Sequence, residues 1–158
     1  MNDITVLRVP TGIKVPANMQ EAQDRLLGRF GDVPKAKNMQ SVVDNPKAAQ
    51  IFAIVGTAPD SDEDWQTLPE AAYAGTVTLI MMQTTVHDIG NVYEIVVESG
   101  HEGQGIGRKL MEKLLEIGHQ NGITRFDLTS SPSKVAAQVL YEKTGFKKRD
   151  TNVWRYEG

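Results

Sequence analysis

The stretch from residue 92 to residue 117 constrains the fold most. The apolar run VYEIVV (92–97) reads as a strand, and its unbroken hydrophobicity predicts a central strand covered on both faces. Gly103, Gly105 and Gly107 follow at every second position. Ile106, Leu110, Leu114 and Ile117 then form one stripe at helical spacing, and Asn121-Gly122 gives a stop. Strand, glycine turn and helix in this order aim the unpaired amides of a first helical turn at one point. The helix dipole adds partial positive charge there. Glycine admits positive φ and lets a bulky oxyanion reach the backbone. A phosphate or diphosphate suits such a turn, and a turn that merely joins strand to helix is the plainer alternative.

Two phosphate motifs fit less well. A nucleoside-triphosphate loop needs Gly-Lys-Ser/Thr, whereas Gly107 is followed by Arg108 and Lys109 with no hydroxyl for magnesium. A dinucleotide fingerprint needs Gly-x-Gly-x-x-Gly. Asp127 stands where a ribose-binding acid would, but the third glycine comes one position early.

Around this unit the periodicities give an α/β chain. Met19, Ala22, Leu26 and Phe30 mark an amphipathic helix closed by Gly31, and a short helix covers Asn38 to Val43. QIFAIVG and GTVTLIMMQT read as strands. The acidic stretch 57–74 between them reads as a long solvated loop, with a lid or an oligomer contact as alternatives. Asp60, Asp62 and Asp64 begin like a calcium loop, but Trp65 replaces the required glycine and Ala71 the closing glutamate. TRFDLTS reads as a strand. Ser131-Pro132 reads as an N-cap with proline at the first helical position, and Gly145 as the close of that helix. FKKRD and NVWRYE read as two final strands. The expectation is a mixed sheet with helices on both faces, three layers in all, as a single domain over 1–158.

Composition narrows the function classes. The 158 residues carry a formal charge of −3, which gives no field favouring nucleic acid or an anionic membrane. The absence of cysteine excludes disulfides, thiol nucleophiles and cysteine zinc sites. No run of signal-peptide or membrane-span character occurs, so a cytoplasmic location is expected.

The segment VVESGHEGQGIGRKLMEKLLEIGHQNGITRFDLTSSPSKVAAQVLYEKTGF (96–146) resembles the acyl-CoA-binding half of the GCN5-related N-acetyltransferase (GNAT) superfamily. A glycine turn together with LYEKTGF at this separation is far more specific than either alone. The resemblance implies acetyl-CoA as acyl donor without a metal, and direct transfer to a primary amine of a small molecule or peptide. It implies a central strand, Ile95, Val96 and Val97, that splays from its neighbour and offers backbone groups to the pantetheine arm. The diphosphate would lie on the turn Glu102, Gly103, Gln104, Gly105, Ile106, Gly107, Arg108 and Lys109, chiefly on the amides of 104–108. Lys134, Ala137 and Tyr141 of the final helix would complete the donor site. Tyr141 matches the residue that protonates the departing thiolate, and a phenol can do so at neutral pH.

Glu94 is a charged residue within an apolar strand and is the candidate to accept the amine proton, with His87 and Asp88 as alternatives. Three positions depart from the family pattern. Tyr93 stands where related sugar-phosphate acetyltransferases commonly carry a Glu, so Glu94 matches the position after it. Glu102 replaces the usual Arg or Gln, a carboxylate that opposes a diphosphate unless it pairs with a base such as Arg108. Lys134 replaces an Asn. Lys147, Lys148 and Arg149 are either contacts to the nucleotide phosphate or an exposed strand face. A second reading stays open: a catalytically weak or inactive acyl-CoA-binding sensor of the same fold. The resemblance is compatible with a homodimer.

Overall fold

A computed structural model describes residues 3–158. One five-stranded sheet runs in the order β1 (Ile4–Arg8), β2 (Ala48–Val55), β3 (Tyr73–Gln83), β4 (Asp88–Val97) and β5 (Arg125–Asp127). The first four strands are antiparallel to their neighbours, and β5 lies parallel to β4. Helices α1 (Ala17–Leu27), α2 (Met39–Asp44) and α3 (Asp62–Thr67) cover one face. Helices α4 (Ile106–Gln120) and α5 (Val135–Lys143) cover the other. The three-layer mixed α/β architecture is therefore present.

Packing follows the sequence stripes. On α1, Met19, Ala22 and Leu26 are fully buried against Phe52 and Ile54. On α4, the stripe Ile106, Leu110, Leu114 and Ile117 meets Ile51, Ala53, Val77 and Leu79. Strands β2 and β3 are thus the ones covered on both faces. VYEIVV is not: Tyr93 and Glu94 are exposed.

Four further expectations are corrected. A first strand, β1, exists where none was expected; ITVLR is a short edge strand without strong periodicity. The acidic stretch is not a plain solvated loop but holds α3. Ser61 Oγ accepts from the Asp64 N–H at 3.1 Å and Asp64 Oδ2 accepts from the Ser61 N–H at 3.2 Å, a reciprocal cap. The acids sit in the first helical turn, where the dipole favours them, and Trp65 is buried in the core. Helix α5 begins at Val135 with Lys134 as its cap residue, so Ser131-Pro132 lies in the preceding turn. FKKRD and NVWRYE form no strands, and Val153, Trp154 and Tyr156 stand exposed.

Phe126 anchors β5. Its ring fills space left by two glycines: a Cβ on Gly90 of β4 would lie 2.7 Å from it, and one on Gly118 of α4 would lie 2.4 Å away. Alanine normally favours a helix over glycine by about 1 kcal/mol. Here Gly118→Ala should instead destabilise by about 1–3 kcal/mol, because ring and backbone must separate. Urea unfolding of this variant checks the sign.

Candidate functional site

The site begins where β4 and β5 part. Parallel pairing covers only Ile89 with Arg125, Gly90 with Phe126, and Asn91 with Asp127. Beyond Asn91, β4 continues for six residues, 92–97, with a partner on its β3 side alone. Register with β3 jumps there: Thr78 faces Tyr93, yet Thr76 faces Val96. The extra residue makes a bulge at Glu94 and Ile95, and Glu94 has a φ of +56°, rare for a residue with a side chain. Glu98 donates its N–H to Ala74 of β3 at 2.8 Å, so the backbone groups of Val97 turn outward by alternation, and its carbonyl there accepts from Arg29.

The glycine turn lies at the end of this free edge. Gly103 and Gly105 both have φ of +75°, and Gly105 is the cap residue of α4. Gly107 serves differently. It is helical, and a Cβ there would lie 3.1 Å from Leu140 of α5. Two glycines shape the turn and the third lets α5 approach. The first helical bond runs from the Lys109 N–H to the Gly105 carbonyl at 3.0 Å. Amides 104–108 have no partner among the described residues. They form an anion cradle at a helix N-terminus.

The structure places the other named residues as follows. Ile106 and Val96 are buried in the core, so only their backbones are available. Ile95, Val97, Leu140, Tyr141 and Phe146 are partly buried and pack against the same apolar cluster. Burial raises the Tyr141 pKa above the ordinary phenol value. Ala137 is half-buried on α5. Lys109 and Gln104 line a depression of about 900 Å³ that extends to Thr5 and Val55. The Lys134 ammonium lies 4.5 Å from the Phe30 ring centroid. His87 is exposed at the β3–β4 hairpin, and Asp88 accepts from Gln83 at 2.7 Å. Lys147, Lys148 and Arg149 are exposed outside any strand.

Glu102 does not pair with Arg108, which is held by Glu112 at 2.7 Å. Its Oε1 instead meets Arg29 Nη2 at 2.9 Å, and its Oε2 accepts from the Gly100 N–H at 2.8 Å. The Gly100 hydrogen bond first, then its own backbone, and then Arg29 hold this carboxyl below its usual range. Arg29 is invisible to motif reading, although Arg25 and Arg29 are spaced to match Glu98 and Glu102, and Arg25 does pair with Glu98 and Glu70. Motif reading also gives Asp127 no part in this site. Register sets it beside Asn91, where the two strands part.

Known proteins share parts of this sequence and its fold. The family model described as an acetyltransferase (GNAT) domain matches residues 65–148, just over half of the chain. A 57-residue stretch is 33% identical to mycothiol acetyltransferase of Beutenbergia cavernae, covering 36% of this chain and 19% of that protein. A 72-residue stretch is 31% identical to the ribosomal protein bS18-alanine N-acetyltransferase of Escherichia coli K12, covering 46% and 49%. The match thus spans less than half the length of these curated relatives. Among solved structures, glucosamine-6-phosphate N-acetyltransferase from Arabidopsis thaliana superposes with a TM-score of 0.71 at 15% identity over 98% of each chain. An aminoglycoside acetyltransferase from an uncultured soil metagenomic sample gives 0.73 at 16% identity, covering 98% of this chain and 95% of that one. These structures share the fold.

The left-handed backbone at the bulge is testable by itself. A Cβ costs about 1–2 kcal/mol at such a position and glycine costs little. Glu94→Gly should therefore be more stable than Glu94→Ala by about 1 kcal/mol, the reverse of the usual order in a strand. Denaturant midpoints of the two variants measure this.

Proposed function

This chain belongs to the GNAT acetyltransferase family, and we propose that it moves an acetyl group from acetyl-CoA directly to a primary amine of a small molecule or peptide. The observation that carries the reading is the free edge of β4, which runs from the bulge at Glu94 to the unpaired amides of 104–108. An extended arm bearing amides suits the edge, and a diphosphate suits the cradle. Unpaired backbone groups and a helix N-terminus suit a coenzyme A thioester in polarity and charge.

In this account the thioester lies along Ile95 to Val97 with its diphosphate on the turn. The neutral amine attacks the thioester carbonyl, and the carbon–nitrogen bond forms as the carbon–sulfur bond breaks. The departing sulfur takes a proton from Tyr141 or is held by its hydrogen bond. The amine proton passes to Glu94 or to a water held by it, with Asp127 as a second carboxylate where the strands part. Holding both reactants in one orientation supplies much of the acceleration. The amine enters over the uncovered strip of sheet where Tyr93 and Met82 stand exposed. No helix among the described residues is long and apolar enough to cross a membrane.

Burial favours the protonated form of Tyr141, so the acid stays loaded throughout the neutral range and is lost only above the ordinary phenol pKa. Tyr141→Phe should lower kcat by about 10²-fold and remove the alkaline limb of the pH profile. The assay is free thiol release from acetyl-CoA across amines, aminosugars and peptides. Coenzyme A binding with no turnover on any acceptor class would favour a non-catalytic acyl-CoA-binding module instead.

A further inference from the structure

Arg29 belongs to neither wall of the donor site, yet it touches the place where strand and turn meet. It lies in the 3₁₀ turn Gly28–Phe30 that prolongs α1, in the layer opposite α4. Its Nη2 pairs with Glu102 Oε1 at 2.9 Å, at the entrance to the glycine turn. Its Nη1 donates to the Val97 carbonyl, at the outward end of the β4 edge. The next residue, Phe30, receives the Lys134 ammonium from the start of α5. One three-residue turn thus contacts the strand end, the glycine turn and the approach to the last helix.

Charge gives this arrangement a purpose. A diphosphate brings negative charge to a turn whose entrance residue, Glu102, is also negative. Unpaired, that carboxylate opposes the ligand. Arg108 is engaged by Glu112, and the cation that meets Glu102 is Arg29. A guanidinium presents five N–H donors in a rigid fork and matches phosphate oxygens well. Glu102 and Val97 leave donors of Arg29 to spare.

We infer that Arg29 is a further donor-binding residue, which brings a guanidinium to the diphosphate of the acyl-CoA from the acceptor-side layer, that of α1–α3, with Glu102 as the carboxylate that positions it. This rests on the acetyl-transfer reading, because it requires a diphosphate at the turn. It also explains why the turn carries an acid at its entrance: the acid holds a cation supplied by a distant element. The positive charge enters through the fold, not through the local motif.

The test is calorimetric titration of wild type, Arg29→Gln and Arg29→Lys with coenzyme A and with pantetheine, which lacks the diphosphate and nucleotide. Arg29→Gln should bind coenzyme A about tenfold more weakly and pantetheine within about twofold of wild type, since one charge-assisted contact is lost. Arg29→Lys, which keeps the charge but not the fork, should fall between them for coenzyme A, and it serves if the glutamine variant folds poorly. Equal losses for both ligands would mean that Arg29 acts through the strand edge, and would overturn the inference. Unchanged coenzyme A affinity would overturn it too, while leaving the acetyl-transfer reading intact. A wild type that binds no coenzyme A would remove both.

Discussion

The site depends on β4 losing its second partner while remaining a strand. Asn91 is the last residue paired with β5, but β3 stays hydrogen-bonded as far as the Glu98 amide. An unpaired strand edge inside a fold is a liability unless something covers it. Two features sustain it here. The bulge at Glu94 and Ile95 bends the strand and sharpens its twist where the neighbours part. Phe126, seated between Gly90 and Gly118, holds β5 close over its three paired residues. The opening is thus built by packing on one side and backbone irregularity on the other. In the proposed function an amide-bearing substrate arm completes this edge.

The glycine turn converts this opening into an oriented site. Its amides and the α4 dipole sit at one end of the free edge, and Tyr141 packs against the same core face as Ile95 and Val97. The ion pairs from Arg25 and Arg29 to Glu70, Glu98 and Glu102 join the acceptor-side layer to the strand end and the turn. Such half-exposed pairs add little stability each. Their contribution is positional: they set the start of the α1–α2 connection against the donor site. Stability comes from the two apolar clusters on either side of β2 and β3.

Much of this is readable from residue pattern. The α4 stripe, the glycine turn and the Tyr141 motif each carry a local periodic or stereochemical signal, and each lies where that signal puts it. What escapes lacks such a signal. Strand β1 is five residues at an edge, too short to show a period. Helix α3 is hidden by acids that look like solvated loop but serve its cap and dipole. The apolar run 92–97 reads as doubly covered because hydrophobicity does not distinguish a face packed under a helix from one left exposed. The strand expected at NVWRYE would need a sheet edge to pair with, and β5 offers only three residues. Arg29 is the clearest case: its importance arises from a contact with Glu102, far along the chain, which no local window contains.

Hydrogen exchange of backbone amides with and without coenzyme A reads the splayed edge and the glycine turn residue by residue. Exchange should slow at residues 95–97 and 104–108, with the β3–β4 hairpin at 84–87 unaffected. Coenzyme A binding that leaves 95–97 and 104–108 unprotected, or that protects a different surface, would contradict the claim that the splayed edge and the glycine turn form the acyl-donor site.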